Sequence, residues 1–156
     1  MGLEIALIKR TYIQHWVFLK EKSIVIETSN KEKTQIKPDR IRSITETIFE
    51  WGLANQLHNW FRYRGKDGED NGREMVVSIS ELSELLDLCI RVKENNHLAE
   101  QLLPTLDGYN FGEIEYDEYY FEVIEDTIEC LEDLISDLSE DEFIDGFYEL
   151  VYLSSW

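Results

Sequence analysis

Residues 115–142 read EYDEYYFEVIEDTIECLEDLISDLSEDE, and this stretch gives the strongest structural signal in the chain. Glu and Asp fill 13 of its 28 positions, whereas Lys and Arg fill none. Its apolar residues recur at spacings of three and four, which is typical of a helix with one buried stripe. That stripe consists of Phe121, Ile124, Ile128, Leu131, Ile135 and Leu138. The pattern predicts a helix over 118–138.

The acidic side chains of this predicted helix fall away from its apolar stripe. They are Glu122, Glu125, Asp126, Glu129, Glu132 and Asp133. A helix over 118–138 is about 30 Å long, and carboxylates three or four positions apart lie about 5–6 Å from one another. This spacing is close to that of phosphates along a nucleic-acid strand. We therefore expect these carboxylates to occupy a basic groove on another protein. The alternatives are a solvated helix face and a face that pairs with the chain's own basic residues.

Aromatic residues extend the predicted binding surface at the N-terminal end of the helix. Tyrosine is favoured at interfaces because it adds contact area and a hydroxyl group at a low entropic cost. We predict that Phe111, Tyr120 and Phe121 face the core. The predicted partner-binding residues at this end are Tyr116, Asp117, Glu118 and Tyr119.

The composition favours one folded domain without a membrane span. The chain has 156 residues, of which 43% are hydrophobic, and this suits a single domain with its own core. Aromatic residues make up 12%, which argues against an acidic disordered chain. No run of 18 apolar residues and no signal-peptide pattern is found, so we expect a cytoplasmic protein without membrane binding. Cys89 and Cys130 lie in helical apolar patterns and are predicted to be reduced core thiols.

The net charge of −18 is unevenly distributed along the chain. Residues 1–64 hold 11 Lys and Arg against 7 Asp and Glu, whereas residues 65–156 hold 4 against 26. The C-terminal region is not expected to bind DNA, RNA or an anionic membrane directly, because carboxylates repel phosphates. A basic protein is the favoured partner. Contact between the basic N-terminal region and a guide RNA remains open.

The N-terminal elements are predicted from their apolar patterns. Residues 3–8 and 23–28 are predicted strands, and 11–19 is ambiguous between strand and loop. Residues 29–38 are interpreted as a polar connection. Residues 40–63 are predicted to form one helix of about 20 residues, because their apolar positions recur at helical spacing. Those positions begin with Ile41, Ile44, Ile48 and Trp51.

The rest of the chain is predicted to be mainly helical. Residues 74–78 are a short predicted strand, and Ser78 with Glu81 forms a capping-box pattern that starts a helix over 81–95. Residues 102–115 are predicted to be a loop, and 146–152 a closing strand. The fold class is therefore α+β, a single domain that is mainly helical with a small antiparallel sheet. Within this single domain of residues 1–156, residues 1–37 are strand-rich and basic, and residues 38–156 are helical and acidic.

Patterns that carry chemistry are weak in this sequence. Asp67 begins a stretch that resembles a calcium loop, but Ser78 stands where the bidentate Glu is needed, so a polar turn is expected instead. His58 is expected to be a satisfied core histidine. No catalytic residue, metal ligand or cofactor is predicted. The one enzymatic alternative is acid–base or divalent-metal chemistry in the 113–120 loop. It would use Glu113, Glu115, Asp117 and Glu118.

Several phrases of the sequence occur together in a known family. They are MGLEIALIKRTYIQHW at 1–16, WGLANQLHNWF at 51–61, ELSELLDLCIRV at 81–92, LLPTLDGYNFGEIEYDEYYFEVIEDTIECL at 102–131 and SSW at 154–156. In these phrases, and in their order, the chain resembles a widespread set of small proteins encoded by phages, prophages and other mobile elements. It departs from that family at Gly52-Leu53, where a basic or polar residue is frequent after the Trp, and at Glu113-Ile114, where Ser-Thr is commoner.

The resemblance implies a phage origin but no particular activity. Small acidic phage proteins without enzymatic activity often inhibit host defence nucleases, including CRISPR effectors, by blocking a nucleic-acid channel. The resulting hypothesis is an anti-defence inhibitor, similar to anti-CRISPR proteins, that binds a basic effector through its acidic helix. Two alternatives remain: a non-enzymatic host-takeover or structural adaptor, and a metal-dependent enzyme that uses the 113–120 loop.

Overall fold

The computed structural model describes residues 2–12, 24–27, 33–36, 41–64, 74–140 and 148–156. Helices hold more of these residues than strands do, and the main sheet is small and antiparallel, which confirms the predicted α+β class. The strands are β1 Glu4–Tyr12, β2 Ile24–Glu27, β3 Lys33–Ile36, β4 Ser43–Gly52, β5 Met75–Val77 and β6 Tyr148–Ser155. The helices are α1 Asn55–Arg64, α2 Ile79–Glu94, α3 Ala99–Leu102 and α4 Glu118–Glu140, with a short 3-10 helix at Asn96–Leu98.

The main sheet has the strand order β4-β1-β6-β5, and every neighbouring pair is antiparallel. Strand β1 is an interior strand of this sheet, because it pairs with β4 on one side and with β6 on the other. Its pairing with β4 shifts by one residue between Leu7 and Ile8, as a β-bulge does. Strands β2 and β3 form a separate two-stranded sheet.

One face of the main sheet packs against the helices. Ile5 and Leu7 alternate along β1 and are fully buried there, as a half-buried strand requires. Helices α2 and α4 pack on each other, and α4 also contacts β4. Trp51 at the end of β4 joins the two layers, because its Nε1–H donates a 3.0 Å hydrogen bond to Thr127 Oγ1 of α4.

The predicted acidic helix is confirmed as α4, but its buried side is wider than the predicted stripe. Ile124, Ile128 and Leu131 are buried, whereas Phe121, Ile135 and Leu138 are only half-buried. The reason is that α4 packs against both α2 and β4, so a second row of side chains is covered. The buried residues outside the predicted stripe are Tyr120, Val123, Thr127, Cys130 and Leu134.

The single helix predicted over 40–63 is wrong. Residues 43–52 form β4, and the helix α1 begins only at Asn55. The break lies at Leu53, whose positive φ of 52° ends the strand and is incompatible with a continuous helix. Extended pairing with β1 therefore prevails over the helical spacing of the isoleucines. The β-branched run of Ile and Thr in this segment is typical of a strand.

The other predicted elements mostly agree with the structure. The strands predicted at 3–8, 23–28, 74–78 and 146–152 correspond to β1, β2, β5 and β6, although β1 and β6 are longer than predicted. The polar connection predicted at 29–38 is partly wrong, because Lys33–Ile36 forms β3. The ambiguous stretch lies mostly outside the described residues, apart from Thr11 and Tyr12 in β1. The calcium-like stretch that starts at Asp67 lies outside them up to residue 73.

The capping box predicted at the start of α2 is present. Ser78 Oγ accepts a 3.1 Å hydrogen bond from the Glu81 N–H, and Glu81 Oε2 accepts a 2.7 Å bond from the Ser78 N–H. The latter bond stabilises the ionised carboxylate, so it holds the pKa of Glu81 below its usual range. Since the folded pKa is lower than the unfolded one, the Glu81 contribution to stability is present above the unfolded pKa and is lost as the pH falls.

This capping box leads to a prediction about pH. Replacing Glu81→Gln should lower the free energy of unfolding by about 1 kcal/mol at pH 7. The difference from the wild type should shrink as the pH falls through the lowered pKa of folded Glu81, and it should vanish only where Glu81 is protonated in both states. Urea unfolding at pH 3, 5 and 7 measures this, with Glu100→Gln as an exposed control. A difference that is the same at pH 3 and pH 7 would contradict it.

Both cysteines are free and buried, as predicted. Burial raises the pKa of the Cys89 thiol to about 12 and that of the Cys130 thiol to about 11. The reactive thiolate is therefore scarce at neutral pH. This argues against a cysteine nucleophile at either position.

Candidate functional site

The acidic residues of α4 form a continuous exposed surface. We define the acidic face as Glu122, Glu125, Asp126, Glu129, Glu132 and Asp133, all of which are exposed. At the helical rotation per residue, these six positions fall within an arc of about 120°. The 23 residues of α4 extend over about 34 Å. The carboxylates therefore line the side of α4 that faces away from the core.

The acidic face has little neutralisation from the rest of the described residues. Lys93 of α2 is the one cation there that pairs with it, at 3.4 Å from Glu125. Arg10 instead pairs with Glu74 and Glu149, at 2.8 and 2.9 Å. These hydrogen bonds raise the pKa of Arg10, and the Arg10 guanidinium lowers the pKa of Glu74.

A second arginine is likewise engaged by residues outside α4. Arg64 lies 2.5 Å from Glu84 and stacks over the Trp60 ring, with its guanidinium carbon 4.0 Å from the ring centroid. Two further described arginines, Arg42 and Arg62, are exposed. The alternative of pairing with the chain's own basic residues is therefore realised at one position of the acidic face, within the region of the chain that the structure describes.

The N-terminal end of α4 is fixed by its own polar side chains. Asp117 Oδ1 accepts a 3.0 Å hydrogen bond from the Tyr120 N–H, so Asp117 caps the helix. The Tyr119 hydroxyl donates a 2.5 Å hydrogen bond to the carbonyl oxygen of Gly52, while 47% of the side chain stays exposed. Desolvation and the nearby charges of Glu122 and Asp126 raise the pKa of Tyr119. This tyrosine therefore ties the start of the acidic face to the end of β4.

The remaining predicted residues at this end have different environments. Glu118 is exposed and continues the line of carboxylates. Tyr116, which was expected at the surface, is half-buried, because its ring packs edge-on against Tyr120 at 5.0 Å. Tyr120 is buried as expected, and its hydroxyl donates to the Leu103 carbonyl oxygen. Phe111 and Phe121 are half-buried against the core.

A buried polar group that was not singled out in the sequence holds the loop 103–117 in place. Asn55 of α1 is 1% exposed. Its Nδ2 donates to the carbonyl oxygens of Phe111 and Glu113, at 3.2 and 2.8 Å, and its Oδ1 accepts from the Leu106 N–H at 3.1 Å. Asn59 Nδ2 adds a 3.0 Å bond to the Pro104 carbonyl oxygen. Asparagines at otherwise apolar positions of a buried helix were the available signal for this arrangement.

His58 on the same helix is a core histidine, as expected. It is 1% exposed, and its Nδ1 lies 2.6 Å from the Tyr152 hydroxyl. Its ring also packs against Phe111 and Trp156, with ring centroids 5.3 and 5.6 Å from that of His58.

Gly112 in the loop 103–117 has a φ of +92°, and a Cβ there would come within 3.0 Å of Leu53 Cβ. Only glycine therefore fits this position without strain.

The four carboxylates of the enzymatic alternative lie partly in the loop before α4 and partly in α4 itself, which begins at Glu118. Glu113, Glu115, Asp117 and Glu118 are each exposed. Within the described ranges, no group of three or more His, Cys, Asp or Glu residues is arranged to hold a metal ion. Asp117 is already engaged as the helix cap. The geometry of this loop therefore gives no support to the enzymatic alternative.

Comparison with known proteins adds no assignment. No family model, curated protein or solved structure matches this chain. Among the residues that the structure describes, no helix combines the length and the apolar character needed to cross a bilayer.

Proposed function

We propose that this protein inhibits a basic, nucleic-acid-handling defence protein, such as a CRISPR effector or another nuclease, in the cytoplasm of a phage-infected cell. The acidic face is the proposed contact surface, and it would occupy the groove that normally holds nucleic acid. One observation carries the proposal: six exposed carboxylates follow one side of α4, and a single described cation, Lys93, pairs with them.

The cost of such a surface supports a cationic partner. Like charges three and four residues apart destabilise an isolated helix by about 0.2–0.5 kcal/mol per pair. Solubility alone needs a net charge of only about 2–8 on a small domain, and this chain carries −18. A partner with a row of lysines and arginines would relieve the repulsion and be attracted over a distance comparable to the Debye length.

The rigidity of the acidic face also supports a binding role. The Trp51–Thr127 hydrogen bond fixes the middle of α4, and the Tyr119–Gly52 bond fixes its start. A surface that is already ordered loses less conformational entropy on binding than a flexible acidic tail does. A rigid convex helix is also suited to exclude nucleic acid sterically from a groove. Contact between the basic N-terminal region and a guide RNA is a separate hypothesis.

The test is a binding and cleavage assay with purified components. The protein is added to RNA-guided DNA cleavage reactions with a panel of CRISPR effectors and to other basic nucleases, and its affinity for each is measured by biolayer interferometry. We expect inhibition of at least one effector, with an affinity that falls at least about tenfold between 0.1 and 0.5 M salt, because salt screens exposed charges.

Two outcomes would contradict the proposal. An affinity that does not change with salt would show that the acidic face does not make the contact. Binding to a host protein without a nucleic-acid function, together with no inhibition across the panel, would favour the adaptor alternative instead.

A further inference from the structure

An open groove of about 610 Å³ lies beside the first turns of α4. Lys93 and Asn96, at the end of α2 and just beyond it, form one wall. Five residues of α4 form the other wall: Glu118, Phe121, Glu122, Ile124 and Glu125. The groove thus combines an aromatic side chain with three carboxylates.

The aromatic side of the groove is fixed by the position of Phe121 on the helix. Phe121 lies three residues after Glu118 and four before Glu125, so it stands at the border between the buried side of α4 and its charged side. Its ring packs edge-on against Tyr120, with centroids 5.0 Å apart, and the side chain stays half-buried. The exposed part of the Phe121 side chain therefore offers a ligand an apolar surface next to the carboxylates.

The charged side of the groove already holds one cation. Lys93 Nζ lies 3.4 Å from Glu125 Oε1, and the two side chains are 53% and 57% exposed. Exposed ion pairs of this kind contribute little to stability, so another cation can replace Lys93 beside Glu125 at little cost. Glu118 and Glu122 have no cationic partner among the described residues. The rim can therefore accept a further positive charge.

We propose that this groove binds an arginine side chain of the basic partner, an inference that rests on the proposed function. The guanidinium is planar, stacks on an aromatic ring and donates two parallel hydrogen bonds to a carboxylate, whereas a lysine ammonium is a compact and strongly hydrated charge. The Phe121 ring and the Glu118, Glu122 and Glu125 carboxylates match both properties of arginine. The groove thus gives the acidic face a preference for arginine over lysine, which net charge alone does not provide.

The test uses two synthetic ten-residue peptides of equal charge, one alternating Arg and Gly and the other alternating Lys and Gly. Isothermal titration calorimetry with the full chain should give an affinity for the arginine peptide that is about tenfold higher. The triple variant Glu118→Gln, Glu122→Gln, Glu125→Gln should abolish this preference. The matched triple variant Glu129→Gln, Glu132→Gln, Asp133→Asn removes the same charge from the same helix and should weaken both peptides equally, leaving the preference intact.

Two single variants make the groove distinguishable from the acidic face as a whole. Phe121→Leu keeps an apolar side chain but removes the ring, so it should reduce the preference for arginine; circular dichroism verifies its fold. Lys93→Gln removes the competing cation, so it should tighten binding of the arginine peptide severalfold. Equal affinities for the two peptides, with equal losses in the two triple variants, would overturn the groove but leave the acidic face as a contact surface. Binding of neither peptide would overturn both proposals.

Discussion

Replacing Asp126, Glu129 and Asp133 with lysine should weaken binding to the inhibited effector by about 100-fold or more. These three residues belong to the acidic face and lie outside the groove. Each substitution removes an attraction and adds a repulsion against a cationic surface. A loss of about 1 kcal/mol at each position corresponds to roughly this factor, since 1.4 kcal/mol is tenfold.

The same variant should keep its fold, and this separates binding from stability. The three carboxylates are exposed and make no described ion pair, so no contact is lost. Reversal also relieves repulsion within α4, by a few tenths of a kcal/mol per pair. We therefore expect a melting temperature equal to or above that of the wild type, measured by circular dichroism.

The control for this experiment is a second triple reversal with the same change in net charge. Glu94, Glu100 and Asp107 are exposed and lie outside α4, and changing them to lysine brings the net charge of −18 to the same value. This control should lose much less affinity than the α4 variant. Equal losses would show that the overall charge, rather than the acidic face, determines binding.

Replacing Asn55→Ala should lower the free energy of unfolding by about 3–5 kcal/mol, which is a large fraction of the stability of a small domain. The substitution removes three hydrogen bonds and leaves the Leu106 N–H and the carbonyl oxygens of Phe111 and Glu113 without this partner. Buried groups left without a partner cost about 1–3 kcal/mol each, and exposure of the loop to water recovers some of this.

Urea unfolding measures the effect, and hydrogen exchange locates it. The Leu106 amide should exchange much faster in the variant, because its acceptor is gone. Asn96→Ala, at an exposed position, should change the stability by no more than about 0.5 kcal/mol. A similarly small effect of Asn55→Ala would contradict the assignment of Asn55 as the residue that holds the loop 103–117.

The acidic helix could be predicted from the sequence because its signal is local. The apolar spacing and the charge of α4 lie within one segment, so the exposure of Glu122 and its neighbours follows from periodicity alone. The burial of Thr127 could not be predicted in the same way, since it depends on Trp51, which lies 76 positions earlier. The groove beside Phe121 likewise requires the end of α2, and no local pattern places Lys93 there.

The failure at 40–63 has the same physical origin. Ile41, Ile44 and Ile48 have helical spacing, but β4 is decided by its pairing with β1, in which Ile44 lies opposite Thr11. A distant partner strand therefore overrides a local periodicity. The strong β-propensity of the Ile and Thr residues was the signal that favoured a strand, together with Gly52 at the point where the strand ends.

The position of β6 between β1 and β5 has a consequence for how the chain folds during synthesis. Strand β1 meets its second neighbour only when residues such as Glu149, 139 positions after Arg10, have been made. Contacts at such separation require closure of a long loop and slow the folding reaction. We expect the sheet of the emerging chain to stay incomplete until β6 has been translated. Helix α4 is therefore synthesised before the main sheet on which it packs can be completed.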